Sequence, residues 1–432
     1  MVAHDVIIVG AGPAGSTAAG VLAGRGRRVA LLDAETPPRP VACAGWLNSA
    51  IGTLLAELDL TLDDVGAVPI DTVTFHTADL AKQATPSFKA PPGYFVDRGR
   101  FDAALAHAAE RRGATLLGGH RVTDVVPREQ SIDVVDEHGT CSGRLLLVAS
   151  GRDTASLSRL GLARKAEPAL LWCAVVEHKG DAVSEPRKTT PSANKTRSAT
   201  ASTKGARAAS RTVVRPERVR AGDRPARPKA EGTPSVDRSR LGTAEPLQRA
   251  ADMHVVLGLD RAGTFATLIR GPGRWVLAVH ARASREQATA ELLSLADRLA
   301  GHGLLPSEHA AIRPGDVKLA RSPAGVALDV ESHVGKHALV IGDAGGFVSS
   351  VSNEGIYPAM WSAKIAAEVV SEAIDSTNSQ DTLMTFETRW RSEMGEYLRM
   401  PNTDVQFLLP LIFSNQPMAN RMAAAFFFGE NI

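Results

Sequence analysis

Gly10-Ala-Gly12-Pro-Ala-Gly15 has the residue types and spacing of a turn that receives phosphate. Gly10 permits the tight turn, Gly12 lets backbone approach a pyrophosphate, and Gly15 allows a helix to pack closely on a strand. The phosphates then sit at a helix N-terminus, where unpaired N–H groups and the macrodipole favour negative charge. Asp33 closes the next apolar run, 23 residues after Gly10. A carboxylate there can accept hydrogen bonds from both ribose hydroxyls, and it argues against a 2′-phosphate and hence against NADP. Taken alone, the glycines would also suit a purely structural turn; Asp33 in this context favours a dinucleotide.

Far along the chain, Gly342-Asp343-Ala-Gly-Gly-Phe347 follows the apolar run Ala338–Ile341, and Asn353-Glu-Gly355-Ile-Tyr-Pro358 opens a helical pattern. A strand, a Gly-Asp pair, a glycine-rich loop and a helix N-terminus make a second cradle. This motif resembles the one that meets the ribityl chain of FAD. That resemblance has Asp343 bonding the sugar alcohol and the helix near Gly355 facing the flavin pyrimidine, where its positive end favours the anion of reduced flavin. Pro358 fits only the first turn of a helix.

The elements that must position these residues follow from periodicity. Val6–Val9 is a continuous apolar run, as in a strand buried on both faces of a parallel sheet. Ser16–Ala23 predicts a helix stopped by Gly24–Gly26, and Arg28–Leu32 returns to strand, completing a βαβ unit. Short helix is expected around Ser49–Leu58, strand near Thr72–Thr77, helix over Arg98–Gly113, two or three strands between Ala114 and Ser150, and strand over Ala169–Glu177. Strand patterns resume at Met253–Leu259, Phe265–Arg270 and Trp275–Ala281, like a meander continuing after an expanded hairpin tip. Helix is expected over Arg285–Gly301 and again from about Gly355 to Ile374. The fold class is therefore α/β: a Rossmann-like FAD-binding domain (1–70, 98–165, 315–375), a split substrate domain of mixed sheet plus helices (71–97, 166–178, 251–314), and a helical C-terminal region (376–432).

Four separated segments together resemble the geranylgeranyl reductase family of flavoproteins, within the para-hydroxybenzoate hydroxylase-like superfamily. They are the Gly10–Gly15 loop with Asp33, Cys43-Ala-Gly45-Trp-Leu47, Asp97-Arg98-Gly-Arg-Phe101-Asp102, and Gly342–Ile356. The resemblance covers 1–178 and roughly 251–400. It implies that Ala14, Asp33, Cys43, Ala44, Arg98, Asp343, Gly355 and Ile356 contact FAD, with Val122 reaching the adenine by its backbone. The sequence departs from the family in Asp33 for Glu, in Ala44 for the first Gly of a Cys-Gly-Gly segment, and in Ala149-Ser150-Gly151-Arg152 for an Asp-Gly fingerprint. Ser350-Val-Ser-Asn353 stands in place of a Pro-Leu-Thr-Gly type stretch.

Each side chain carries two readings. Cys43 is a donor or a polarity-tuning group near the flavin or the reacting double bond, or a small buried hydrophobe. Arg98 bridges the flavin and the substrate domain, or caps its helix region with a salt bridge to Asp102. Trp46 and Tyr357 line the substrate side, or belong to the core. Cys141 and Cys173 read as packing residues, and no His is assigned to catalysis. Gly-x-Ser-x-Gly is absent, as is the Trp-x-Trp-x-Ile-Pro segment of flavin-dependent halogenases. With no Cys after Cys173, a four-Cys iron–sulfur region is excluded from the rest of this sequence.

The near-neutral net charge of +2 conceals a split. Residues 179–250 hold 17 Lys and Arg against 7 Asp and Glu and have no aromatic residue, leaving 32 and 40 in the other 360. That segment reads as a disordered basic insertion, because it cannot bury enough apolar surface to offset its ordering entropy. Without stacking platforms it argues against nucleic-acid binding. Three scattered cysteines, no signal-peptide pattern and no long apolar run point to the cytoplasm, with contact at the inner membrane face left open through the apolar stretches Phe407–Phe413 and Ala423–Phe428. The expected activity is reduction of a double bond in an apolar, isoprenoid or lipid-like substrate, with NAD(P)H or a ferredoxin-type protein as electron donor. An FAD monooxygenase and a non-enzymatic flavin-binding interaction protein are the alternatives; no metal site is read and the oligomeric state stays open.

Overall fold

A computed structural model describes residues 3–153, 155–162, 171–179, 250–259, 264–305, 312–400 and 405–430. All of the basic insertion except its two end residues lies outside the described residues. Two sheets organise the rest.

The first sheet has a parallel core in the order Ala338–Val340, Gly139–Val148, His4–Val9, Val29–Asp33, Thr115–Gly118. Val6 sits opposite both Leu145 and Val29. Val6, Ile7 and Ile8 are fully buried because side chains of both parities meet a core. Val6 and Ile8 pack under the helices Pro13–Gly24, Arg98–Arg111 and Ile356–Asp375, while Ile7 and Val9 pack with Val125, Ile132 and Val134. Four strands, not two or three, lie between Thr115 and Val148. Val122–Pro127, Ile132–Asp136 and the start of Gly139–Val148 form an antiparallel meander whose short turns blur the pattern of separate strands.

The second sheet runs Lys318–Ser322, Leu171–Lys179, Arg274–Ala281, Phe265–Gly271, Ala251–Leu257, Val68–Thr77, Gly93–Phe95, Trp46–Asn48. One face receives Phe426 and Phe427 of the C-terminal helix Gln416–Phe428, which pack with Trp46, Phe75 and Phe265. The other receives Leu292, Leu295 and Leu299 of helix Arg285–Gly301, whose start is fixed by a capping box between Ser284 and Gln287. The Ala423–Phe428 stretch is thus a buried face, whereas Phe407 and Leu411 of helix Val405–Ile412 are exposed.

Two expectations change here. Trp46–Asn48 and Lys318–Ser322, assigned from sequence to the FAD-binding part, pair into the second sheet. The insertion does not extend a hairpin tip: Leu171–Lys179 pairs with Arg274–Ala281 and Lys318–Ser322, and two strands separate it from Ala251–Leu257. Lys179 and Ala251 lie at the same end of the sheet, three strand spacings or about 14 Å apart. Strand periodicity carries no information on which strands are neighbours, so the sequence pattern suggested a meander that the pairing does not follow. Among the described residues, no helix is long and apolar enough to cross a membrane.

Candidate functional site

The first strand ends in a turn that only glycine can make. Gly10 has φ +103°, and a Cβ there would lie 2.3 Å from the Ala149 carbonyl oxygen. A Cβ on Gly15 would lie 1.8 Å from the Gly10 oxygen, so the helix can start against the loop only without a side chain at that position. Gly12 differs: its Cβ position has just the Arg39 Nη2 within reach, at 3.6 Å, and it faces a cavity. Pro13 opens the helix, leaving first-turn N–H groups without intrahelical partners.

Asp33 is buried and already engaged. Its Oδ2 accepts the Ala11 N–H at 2.7 Å, its Oδ1 accepts the Glu35 N–H at 2.9 Å, and Arg39 approaches to 3.4 Å. The shorter Asp therefore ties the phosphate turn to the second strand, and a ribose would share this carboxylate with the loop.

The cavity measures ≈ 410 Å³, and both sheets contribute to its wall. Of the residues expected from sequence, Gly10, Gly12, Ala14, Asp33, Cys43, Ala44, Trp46, Arg98, Val122, Asp343, Gly355 and Ile356 line it. Gly15 lies beneath the loop as a packing glycine. Tyr357 is the exception. Ile356 starts its helix facing the cavity, and the ≈ 100° step to the next residue turns Tyr357 onto Trp361 and Tyr397, with ring centroids 5.4 Å and 5.7 Å away. It belongs to an aromatic cluster outside the cavity lining, the core alternative of its sequence reading.

Arg98 pairs with Asp102 and also reaches the cavity. Its guanidinium makes a two-point bond to the buried Asp102, at 2.9 and 3.0 Å, and also lines the cavity beside Cys43. Burial opposes its charge, yet Asp102 and then Cys43 hold its pKa above the usual range. The Cys43 Sγ accepts the Gly45 N–H at 3.4 Å.

Among the lining residues not assigned a functional role from sequence are Cys173, His280, Ser322 and Glu354. Cys173 and Phe265 are the cross-strand partners of His280, so one row across the second sheet reaches the cavity. Burial pushes the Cys173 thiol up to about 12 and the His280 imidazole down to about 4, so both are neutral near pH 7. The His280 ring stacks on Phe265 at 4.6 Å, and its Nδ1 bonds the Asn353 amide, whose oxygen takes the Ser322 hydroxyl. Asn353 holds φ +56°, a left-handed conformation that Asn tolerates better than most residues. Glu354 is 2 % exposed; burial, then the nearby Asp343 carboxylate, push it up to about 7 against hydrogen bonds from the Tyr357 N–H (2.7 Å) and the Tyr397 hydroxyl (3.0 Å). The sequence held a signal for two of these: Glu354 sits inside the Asn353–Pro358 motif, and His280 interrupts an apolar strand.

These residues fit FAD. The glycine turn is open only at Gly12, Arg39 and Arg121 supply positive charge, and Gly355 faces Asp343, its Cβ position 3.3 Å from Oδ1. Among the described residues, no His, Cys, Asp and Glu cluster suited to a metal ion occurs.

Comparison with known proteins agrees. Residues 3–240 match the family model described as FAD binding domain. The chain is 30% identical over 184 residues to Protein FixC of Escherichia coli (strain K12), covering 38% of this chain and 40% of FixC. It is 29% identical over 184 residues to digeranylgeranylglycerophospholipid reductase 1 of Methanosphaera stadtmanae, covering 41% of this chain and 45% of that protein. The chain thus spans under half the length of either relative. A geranylgeranyl bacteriochlorophyll reductase-like protein from Thermoplasma acidophilum shares the fold, with TM-score 0.68, 15% identity, and coverage of 99% of this chain and 97% of that one. With the phosphate turn, the second cradle and the cavity between them, the match places the chain in the FAD binding domain family of FAD-dependent oxidoreductases, with FAD as its cofactor.

Proposed function

We propose that the chain is a reductase that saturates a carbon–carbon double bond in an apolar, isoprenoid or other lipid-like substrate. The observation that carries this reading is the make-up of the cavity wall. The phosphate turn and Asp343 share one cavity with Cys43, Trp46, Cys173, Val348 and Ile356, a thiol-bearing and largely apolar surface. The names of the reductase relatives support the same class.

FAD, when bound and reduced, supplies the hydride. The chain's own residues do the rest. The first-turn N–H groups around Ala14, with Arg39, would hold the pyrophosphate, and Asp33 the ribose. Asp343 would bond the ribityl chain, and the N-terminus of helix Ile356–Asp375 would favour negative charge on the pyrimidine. The Cys43 Sγ–H would give its proton to the second alkene carbon, with the Arg98 cation beside it to offset the charge left on sulfur. Trp46 and Phe427 keep water from that wall by packing edge to face at 5.4 Å.

Anaerobic reoxidation of photoreduced holoenzyme by a polyprenyl alkene tests the reading. The expected product gains two hydrogens. A product that gains oxygen only when air is admitted marks a monooxygenase, and failure of every apolar alkene to reoxidise the enzyme sinks the reductase reading. Titration of the oxidised holoenzyme with NADH, NADPH and reduced ferredoxin identifies the electron donor by flavin bleaching.

A further inference from the structure

The cavity wall contains one polar network that double-bond saturation does not require. His280, Asn353 and Ser322 come from three different segments and meet at the cavity. Their hydrogen-bond directions follow from chemistry. The Ser322 hydroxyl donates to the Asn353 oxygen, so the Asn353 NH₂ faces His280 Nδ1. A donor facing Nδ1 requires that nitrogen to be an acceptor, which leaves the proton of the neutral ring on Nε2. Phe265 stacked at 4.6 Å holds the ring plane. Nε2–H makes no hydrogen bond to a described residue, and the cavity wall that His280 lines also carries the apolar or weakly polar side chains of Trp46, Cys173, Val348 and Ile356.

We infer that His280 donates its Nε2–H to a carbonyl oxygen of the substrate, so that the apolar substrate is an enone whose double bond is conjugated to that carbonyl. This rests on the reductase reading and narrows its substrate class. This donor calls for an acceptor on the substrate, and an isolated alkene would leave the N–H unpaired. In the reaction the β-carbon takes the hydride, the alkene π pair forms a new double bond between the α-carbon and the carbonyl carbon, and the carbonyl π pair moves to oxygen, where Nε2–H bonds the enolate. A proton added at the α-carbon restores the carbonyl, and two electrons and two hydrogens have then been added. Asn353 is a positioning residue, acting through the tautomer of His280.

The test uses full-length oxidised holoenzyme and β-ionone, an isoprenoid enone. In nitrogen-labelled protein, the His280 ring, identified by its loss in His280→Phe, should show the Nε2–H tautomer near neutral pH, and β-ionone should shift its Nε2 resonance. Difference infrared spectra should show a lowered carbonyl stretching frequency for bound β-ionone. His280→Phe keeps the stacking on Phe265 and the flavin spectrum but loses that lowering and binds β-ionone about tenfold more weakly, the worth of one buried hydrogen bond. His280→Gln, which keeps an amide donor, should retain part of the effect and serves if the Phe variant does not fold. Asn353→Gly should yield a mixture of tautomers. An Nδ1–H tautomer, an Nε2 resonance unmoved by β-ionone, or equal carbonyl frequencies in wild type and a folded His280→Phe would each overturn the inference. If polyprenyl alkenes without a carbonyl are reduced as fast as enones, the inference fails and the reductase reading stands. If neither class reoxidises the reduced enzyme, that reading fails, while the spectra still decide the role of His280.

Discussion

Glu354→Gln should make the protein more stable at neutral and alkaline pH and change little in acid. The Glu354 carboxyl is 2 % exposed, and burial moves it from 4.5 to about 7. An acid whose folded pKa is raised stabilises the fold below its unfolded pKa and loses that contribution as pH rises through the folded one. In the wild type, the loss runs from about pH 4.5 to pH 7 and amounts to roughly 3 kcal/mol, since one pKa unit is worth about 1.36 kcal/mol. The Gln side chain never ionises. Its amide oxygen can still accept the Tyr357 N–H, and the Tyr397 hydroxyl can turn to accept from the amide NH₂, so the local hydrogen bonds persist. Urea unfolding at fixed, saturating FAD, followed by tryptophan fluorescence between about pH 4.5 and pH 8, reads the difference directly. His280 and His76, both pushed down to about 4, destabilise the fold as pH falls below 6.5, but they do so equally in both proteins and cancel. A stability difference that stays flat with pH, or a Gln variant weaker than wild type at the alkaline end, would refute this account of the buried carboxyl.

Gly10→Ala forces a side chain onto φ +103° and against the Ala149 oxygen; strain of about 1–3 kcal/mol should weaken FAD binding about 5- to 150-fold in a flavin-fluorescence titration. Gly52→Ala, whose Cβ position has nothing within 4 Å, is the matched control and should bind FAD normally. Arg98→Ala strands Asp102 at 1 % exposure and should cost about 3–5 kcal/mol in urea, whereas Arg98→Met combined with Asp102→Leu should cost less. Replacing 185–245 with a short Gly/Ser linker should leave flavin content unchanged, because every lining residue of the cavity lies outside that range and the linker need cross only about 14 Å. Flavin-free protein from that deletion would contradict the expectation.

The parts of the site legible in sequence are those whose requirement is local. Gly10 is dictated by its own φ of +103° as well as by the distant Ala149 carbonyl, Gly15 by the Gly10 carbonyl nearby, and Asp33 by the end of the adjacent strand. Helix Arg285–Gly301 appeared with its observed ends because Ser284 and Gln287 cap it from within the same segment. The choice between the two readings of Tyr357 stayed open in sequence for a related reason: its place beside the motif was visible, but its direction depends on the rotation of a helix whose partners, Trp361 and Tyr397, come partly from elsewhere.

What stayed hidden depends on residues far apart in the chain. His280 meets Asn353 across 73 positions, and its row with Cys173 and Phe265 exists only once strand order and register are set. The strand order also moved the insertion from a supposed hairpin tip to a connection across two intervening strands. By itself the sequence determined the phosphate turn, the second cradle and the FAD-binding class, because turn geometry and helix ends are decided by near neighbours. Tertiary structure alone decided which groups share the cavity and in what protonation state. The Glu354 carboxyl and the His280 ring take their pKa values from desolvation, and desolvation is set by every element packed around them.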